Sequence, residues 1–140
     1  MKILLAADGS KLTKKALAFL ATHETLCGPE DQLVVLHVQA PVPARVKSTL
    51  GAAVVRDYHQ DEARKVLAPI ERFLDRHDIN YRTTWVIGPP TDEILSKAKR
   101  EKAQLIVMGT HGHGLIGRAL MGSVAQRVVT GADVPVLLVK

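Results

Sequence analysis

Near the end of the chain the glycines fall in a spacing that suits phosphate chemistry. Gly109 is followed by two residues and Gly112, then by nine residues and Gly122-Ser123, which open an apolar run of helical character. Glycine lets backbone N–H groups approach a ligand with no Cβ between them. A helix beginning at Ser123 would turn unpaired amides and its positive dipole end toward an anion, with the Ser123 hydroxyl beside them. A second group of chemical interest is Asp8-Gly9-Ser10, directly after the first apolar run. In a doubly wound sheet, ligands sit beyond the carboxyl ends of strands where the winding reverses. If the first and fourth strands are neighbours there, Asp8 faces the glycine loop and offers a carboxylate to a ribose hydroxyl or a base amino group. The competing reading is that Asp8 caps the first helix, although Ser10 could do so equally well.

Other motifs fit poorly. Gly117, four residues and Gly122-Ser123 resemble the end of a Walker A loop, but the lysine that reaches the β- and γ-phosphates is missing. Gly112 to Gly117 spells G-x-G-x-x-G, yet it follows the fourth strand, and the next acidic residue, Asp133, precedes a strand. His111 and His113 flank Gly112, but H-x-H alone lacks the further ligands of a closed metal site. A divalent ion such as magnesium fits better as a passenger on substrate phosphates. Ser123, His111 and Asp8 have no G-x-S-x-G elbow to make them a hydrolase triad. His37, inside an apolar strand, reads as a satisfied core histidine. Cys27, the single cysteine, has no partner for an intrachain disulfide and reads as a small buried hydrophobe.

These residues must be positioned by a chain of 140 residues, 46% hydrophobic, which suits one domain over residues 1–140. The formal charge is +5, but basic residues alternate with acidic ones and only five aromatics are present, so no nucleic-acid partner is expected. Lys11, Lys14 and Lys15 form the densest basic cluster and read as a solvated helix face. The apolar stretch from Ile3 to Ala7 is too short for a signal-peptide core or a membrane span, so a soluble cytoplasmic protein with no membrane association is expected.

Short apolar runs alternate with helical patterns, which makes the class α/β: an open five-stranded parallel sheet with helices on both faces. Strands are expected at Lys2–Ala7, Leu33–Val38, Tyr81–Val86, Leu105–Met108 and Val136–Val139, mostly as continuous apolar runs. The first helix starts after an N-cap at Ser10 and is expected to stop at Cys27-Gly28-Pro29. The second carries His59, Ala63, Val66, Ile70 and Phe73 on one face, with Pro69 expected to kink or split it. The third starts near Pro90-Thr91, with Asp92 and Glu93 early and Lys97, Lys99 and Arg100 late, an order that suits its dipole. The fourth runs from about Ser123 to Thr130 and ends at Gly131. Residues 39–51, with Pro41, Pro43 and Gly51, are too long for a tight connection and read as a lid or a surface loop.

Over essentially its full length the chain resembles the universal stress protein superfamily. The resemblance rests on Asp8 ending the first strand, Leu36-His37-Val38 closing the second, Val107-Met108-Gly109-Thr110-His111-Gly112, Gly122-Ser123-Val124, and the terminal Val134-Pro135-Val136-Leu137-Leu138-Val139. The glycine spacing is the pattern of that family's ATP-binding branch. The resemblance implies strand order 3-2-1-4-5 and an adenosine held by Asp8 and the Val38 backbone. It also implies Met108 and Gly109 beside the ribose, with phosphates on Gly112, Gly122, Ser123 and Val124. With Asp8, Gly9 and Ser10 are counted in the nucleotide-binding set. His113 and Arg118 are not fixed by the pattern, and Arg118 is a candidate for one more phosphate contact. A homodimer with antiparallel fifth strands is also implied. The apolar Val136–Val139 edge makes pairing reasonable, although Pro135 limits where ladder bonds begin. The function expected is that of a cytoplasmic stress-response regulator that binds ATP, with Mg2+ on its phosphates, and acts on a protein partner. The alternatives are a slow ATP hydrolase, with His111 or Asp8 positioning water, and a nucleotide-independent homodimeric scaffold.

Overall fold

A computed structural model describes residues 1–113 and 121–140. Three apolar segments form the middle of the sheet: β1 (Lys2–Ala6), β2 (Gln32–Gln39) and β4 (Leu105–Gly109). The edges are β3 (Tyr81–Ile87) and β5 (Val136–Val139). The order is β3-β2-β1-β4-β5 with every pair parallel, as expected. The helices are α1 (Lys11–Ala21), α2 (Ala44–Leu50), α3 (Ala52–Leu74), α4 (Pro90–Glu101) and α5 (Ser123–Gly131).

The period of two along a strand splits the apolar residues between two cores. Ile3, Leu5, Leu33, Val35 and Val107 face α1 and α3, where Leu17, Leu20, Leu67, Ile70 and Leu74 cover them. Leu4, Val34, Leu36, Ile106 and Met108 face the other way, against Ile94 and Ala98 of α4 and Ala125 and Val128 of α5. This two-sided burial is why the central strands read as unbroken apolar runs. The register places Leu4 between Val34 and Ile106. The edge strand β3 alternates instead, sending Tyr81 and Trp85 to the first core and Val86 to the second.

The elements differ from expectation in three places. Helix α1 ends at Ala21, well before Cys27. The Thr22 hydroxyl donates to the Ala18 and Phe19 carbonyls, and the Leu26 and Cys27 amides both turn back to the His23 carbonyl, so the chain leaves the helix in a tight turn. Cys27 is buried in the first core, as read from its type. Residues 39–51 are not a plain loop, because seven of them form α2, a helix with no buried residue. Gly51, at φ 88°, separates α2 from α3 in a backbone conformation that favours glycine. Pro69 does not split α3, which runs unbroken for 23 residues. Pro69 and Lys65 are both exposed, so the carbonyl deprived of its intrahelical donor is open to water. Among the described residues no helix is long and apolar enough to cross a membrane.

The two-sided core predicts an uneven response to truncation. Ile106 is 0% exposed and pairs with strands on both sides, whereas Leu50 at the end of α2 is 52% exposed. Ile106→Ala should cost about 2–5 kcal/mol in urea unfolding. Leu50→Ala should change stability by less than about 0.5 kcal/mol. Equal losses would contradict this division between core and surface.

Candidate functional site

Beyond Ala6 the chain leaves the sheet and turns into α1, and the turn is built around Asp8. The Ser10 amide and the Thr13 hydroxyl both donate to Asp8 Oδ1, at 2.9 and 3.0 Å. The Asp8 amide in turn donates to Thr13 Oγ1 at 3.1 Å. Gly9, at φ 78°, takes the left-handed conformation that the turn requires. Ser10 occupies the N-cap position of α1, but its side chain makes no capping bond. Asp8 organises the turn instead. The Ser10 hydroxyl oxygen is buried without a hydrogen-bond partner among the described residues.

The carboxylate is consequently two-sided. Oδ1 is engaged by the α1 turn, whereas Oδ2 lies over the loop that follows β4. A methyl group placed on Gly112 would sit 2.7 Å from Oδ2, so glycine is what lets loop and carboxylate approach. Gly109 is tight for a different reason: a methyl there would lie 2.7 Å from Leu12 Cβ of α1. One residue past Gly112, His113 Nε2 donates to the Asp8 carbonyl at 2.8 Å. Burial pushes the Asp8 carboxyl up, but hydrogen bonds from Ser10 and Thr13 and the nearby His113 outweigh it and hold the group below the ordinary aspartate range.

These groups border a cavity of about 560 Å³ at the carboxyl ends of β1 and β4. Asp8, Ser10, Val38, Met108, Gly109, Gly112, Gly122, Ser123 and Val124 all line it, so the structure brings together nearly the whole set read from the sequence. Gly9 does not line it and faces the Val66 side chain of α3. Arg118, Gly114 and Gly117 lie outside the described residues. The sequence reading missed Thr13 and the apolar walls, notably Leu36, Pro90, Ile94 and Met121. His111 also lines the cavity, with Nδ1 donating to the Gly112 carbonyl at 3.1 Å. Among the described residues no three His, Cys, Asp or Glu side chains cluster to hold a metal.

Two backbone features shape the ends of the cavity. In a parallel ladder each residue directs its N–H and C=O to the same neighbour, alternately left and right. The Ala7 amide donates to the Leu36 carbonyl, so Leu36 and, two residues on, Val38 face the β1 side. Pairing with β1 ends at Ala6, and the Ala7 carbonyl accepts His37 Nδ1 at 2.9 Å, so the Val38 peptide groups lie past the last bond of that ladder. His37 is thus the satisfied core histidine that its setting suggested. At the other end, the first amides of α5 have no acceptor within the helix. Gly122, its N-cap, gives its own amide to the Thr110 carbonyl at 2.6 Å. That leaves Ser123, Val124 and Ala125, all in the cavity wall, as the amides at this helix end.

Comparison with known proteins gives a consistent result. The profile of the universal stress protein family matches residues 1–140. A universal stress protein of Thermus aquaticus, encoded beside a sulfhydrylase gene, is 37% identical over 139 residues, covering 99% of this chain and 97% of its own. The solved structure of MJ0577, a universal stress protein of Methanocaldococcus jannaschii, is 28% identical and superposes with a TM-score of 0.85 over 99% of this chain and 94% of that one. An Archaeoglobus fulgidus universal stress protein solved in complex with dAMP is 25% identical, with a TM-score of 0.73 over 100% and 98% of the two chains.

The Asp8 geometry sets a pH dependence. A carboxyl that titrates lower when folded than when unfolded stabilises the fold above its unfolded pKa, and the contribution is lost as the pH falls through the folded pKa. Asp8→Asn keeps the acceptor oxygen and removes the charge. The variant should melt below the wild type at neutral pH, and the gap should narrow as the pH falls below the ordinary aspartate pKa of about 3.9. Melting curves across this range test the account, which a gap of constant size would contradict.

Proposed function

Because the chain belongs to the universal stress protein family, we propose that its cleft binds an adenine nucleotide, with ATP as the working ligand and Mg2+ carried on the phosphates. The observation that carries this reading is the matched pair of polar ends in one cavity. At one end stand Asp8 Oδ2, the buried Ser10 hydroxyl, without a partner among the described residues, and the Val38 peptide beyond its ladder. At the other stand Gly112 and the first turn of α5. The volume of about 560 Å³ is in the range of ligand sites.

The chemistry of the lining divides in the same way as a nucleotide does. Leu36, Val38, Ile94 and Met108 offer an apolar floor for a flat base. Asp8 Oδ2 is an acceptor for a ribose hydroxyl or an amino group. The Ser123, Val124 and Ala125 amides, at the positive end of α5, suit phosphate oxygens, and Ser123 adds a hydroxyl. Magnesium would be held mainly by those oxygens. The dAMP complex of the Archaeoglobus relative supports an adenine ligand.

On this reading the protein is a cytoplasmic binding module whose occupancy is sensed by a protein partner and by a second copy. The copies would meet through β5, a four-residue apolar edge strand that among the described residues pairs only with β4. An antiparallel pairing there would satisfy its outer peptide groups, with Pro135 setting the start of the ladder.

Calorimetric titration of nucleotide-stripped protein with Mg-ATP and with AMP tests the site. Saturable binding is expected, tighter for ATP. A hundredfold excess of ligand over Kd should raise stability by about 2.7 kcal/mol. Gly122→Val, which puts a branched side chain at the cavity wall, should abolish binding and leave the fold intact. Absence of heat and of thermal stabilisation at millimolar ATP would sink the nucleotide reading in favour of a scaffold.

A further inference from the structure

We propose that His113 is a positioning residue for the nucleotide, a latch that holds the glycine loop against the end of β1. The inference rests on the nucleotide reading above and concerns a residue that the glycine spacing does not specify. β4 ends at Gly109 and the loop leaving it contains Gly112, and glycine backbone loses more conformational freedom on ordering than any other. Its early part is anchored: Gly109 packs against Leu12, and the Thr110 amide donates to the Val139 carbonyl at 2.9 Å. After Thr110 the loop turns away from β5 toward β1. There the imidazole of His113 supplies the one hydrogen bond, among the described residues, between residues 110–113 and the Asp8 turn.

The consequence concerns Asp8 as much as the loop. Its carbonyl accepts the His113 ring, Oδ1 accepts Ser10 and Thr13, and Oδ2 lies against Gly112. With the latch in place, the free carboxylate oxygen and the backbone of Gly112 face the ligand at a fixed separation. Without it, residues 110–113 keep no hydrogen bond to the Asp8 turn among the described residues, and ligand binding must supply the ordering that His113 provides in advance. The ring need not touch the ligand to act in this way. A glutamine carries an Nε2–H donor at similar reach, so it preserves the latch without the imidazole.

Two measurements test the latch independently of the site. In calorimetric titration with AMP, His113→Ala should weaken binding about tenfold, the upper range for one net hydrogen bond, and His113→Gln should bind within about twofold of wild type. Binding by His113→Ala within twofold of wild type, or equal losses in both variants, would overturn the proposal. In 15N relaxation of the ligand-free protein, the amides of residues 111–113 should show lower order parameters in His113→Ala than in wild type or His113→Gln. Identical order parameters in all three would overturn the latch even where nucleotide binds. If wild type binds neither AMP nor ATP, the nucleotide reading fails and with it the positioning role, while the relaxation result still reports whether the latch exists.

Discussion

The central strand stops short of its neighbours, and the cleft is the result. β1 pairs with β2 as far as Ala6 and Leu36, and with β4 as far as Leu5 and Val107. Beyond those pairs β2 continues to Gln39 and β4 to Gly109. The two flanking strands therefore project past the end of the middle one, and peptide groups that would have bonded to β1 have no strand to meet. A parallel sheet buried on both faces cannot leave such groups unanswered at low cost. The His37 ring takes the Ala7 carbonyl, and Asp8 folds back onto its own turn. What is left among the described residues, the Val38 peptide, Asp8 Oδ2 and the Ser10 hydroxyl, borders the cavity.

The same constraint explains why small residues are needed on one side of the notch. The β4 loop must cross close to α1 and close to Asp8, and at Gly109 and Gly112 a methyl group would meet Leu12 Cβ and Asp8 Oδ2 respectively, each at 2.7 Å. Neither glycine has a positive φ, so the requirement is space and not backbone conformation. This is a different use of glycine from Gly9, whose left-handed backbone shapes the turn at the other lip. The glycine spacing is therefore a record of how closely two loops pass, and phosphate recognition is one chemistry that such an approach allows.

Much of this is legible in the amino-acid sequence. Central strands covered on both faces appear as apolar runs, and Asp8 and the glycines stand at strand ends in the linear sequence. What was not legible depended on contacts between distant segments. Thr13 looks like any helix threonine until Asp8 folds back onto it, and Ser10 looks like a routine N-cap until Asp8 has taken over the turn. Pro90, Ile94 and Met121 reach the cavity only because α4 and α5 pack side by side on the same face of the sheet. The early end of α1 and the presence of α2 turn on local competition between the helix and side-chain or turn bonding, which glycine and proline positions alone did not reveal.

Thr110 joins the cleft to the edge of the sheet. Its amide donates to Val139 at the end of β5, and its carbonyl accepts the Gly122 amide at the N-cap of α5. Both bonds fall on one residue, between strand β4 and the helix end where the proposed phosphates would sit. Backbone bonds alone therefore connect the start of α5 to the last rung of the β4–β5 ladder, without passing through the core. The side chains of β5 are all only half-buried, so its position is set as much by this ladder as by packing. Thr110 thereby ties the cavity wall at α5 to the outermost strand of the sheet through two backbone bonds.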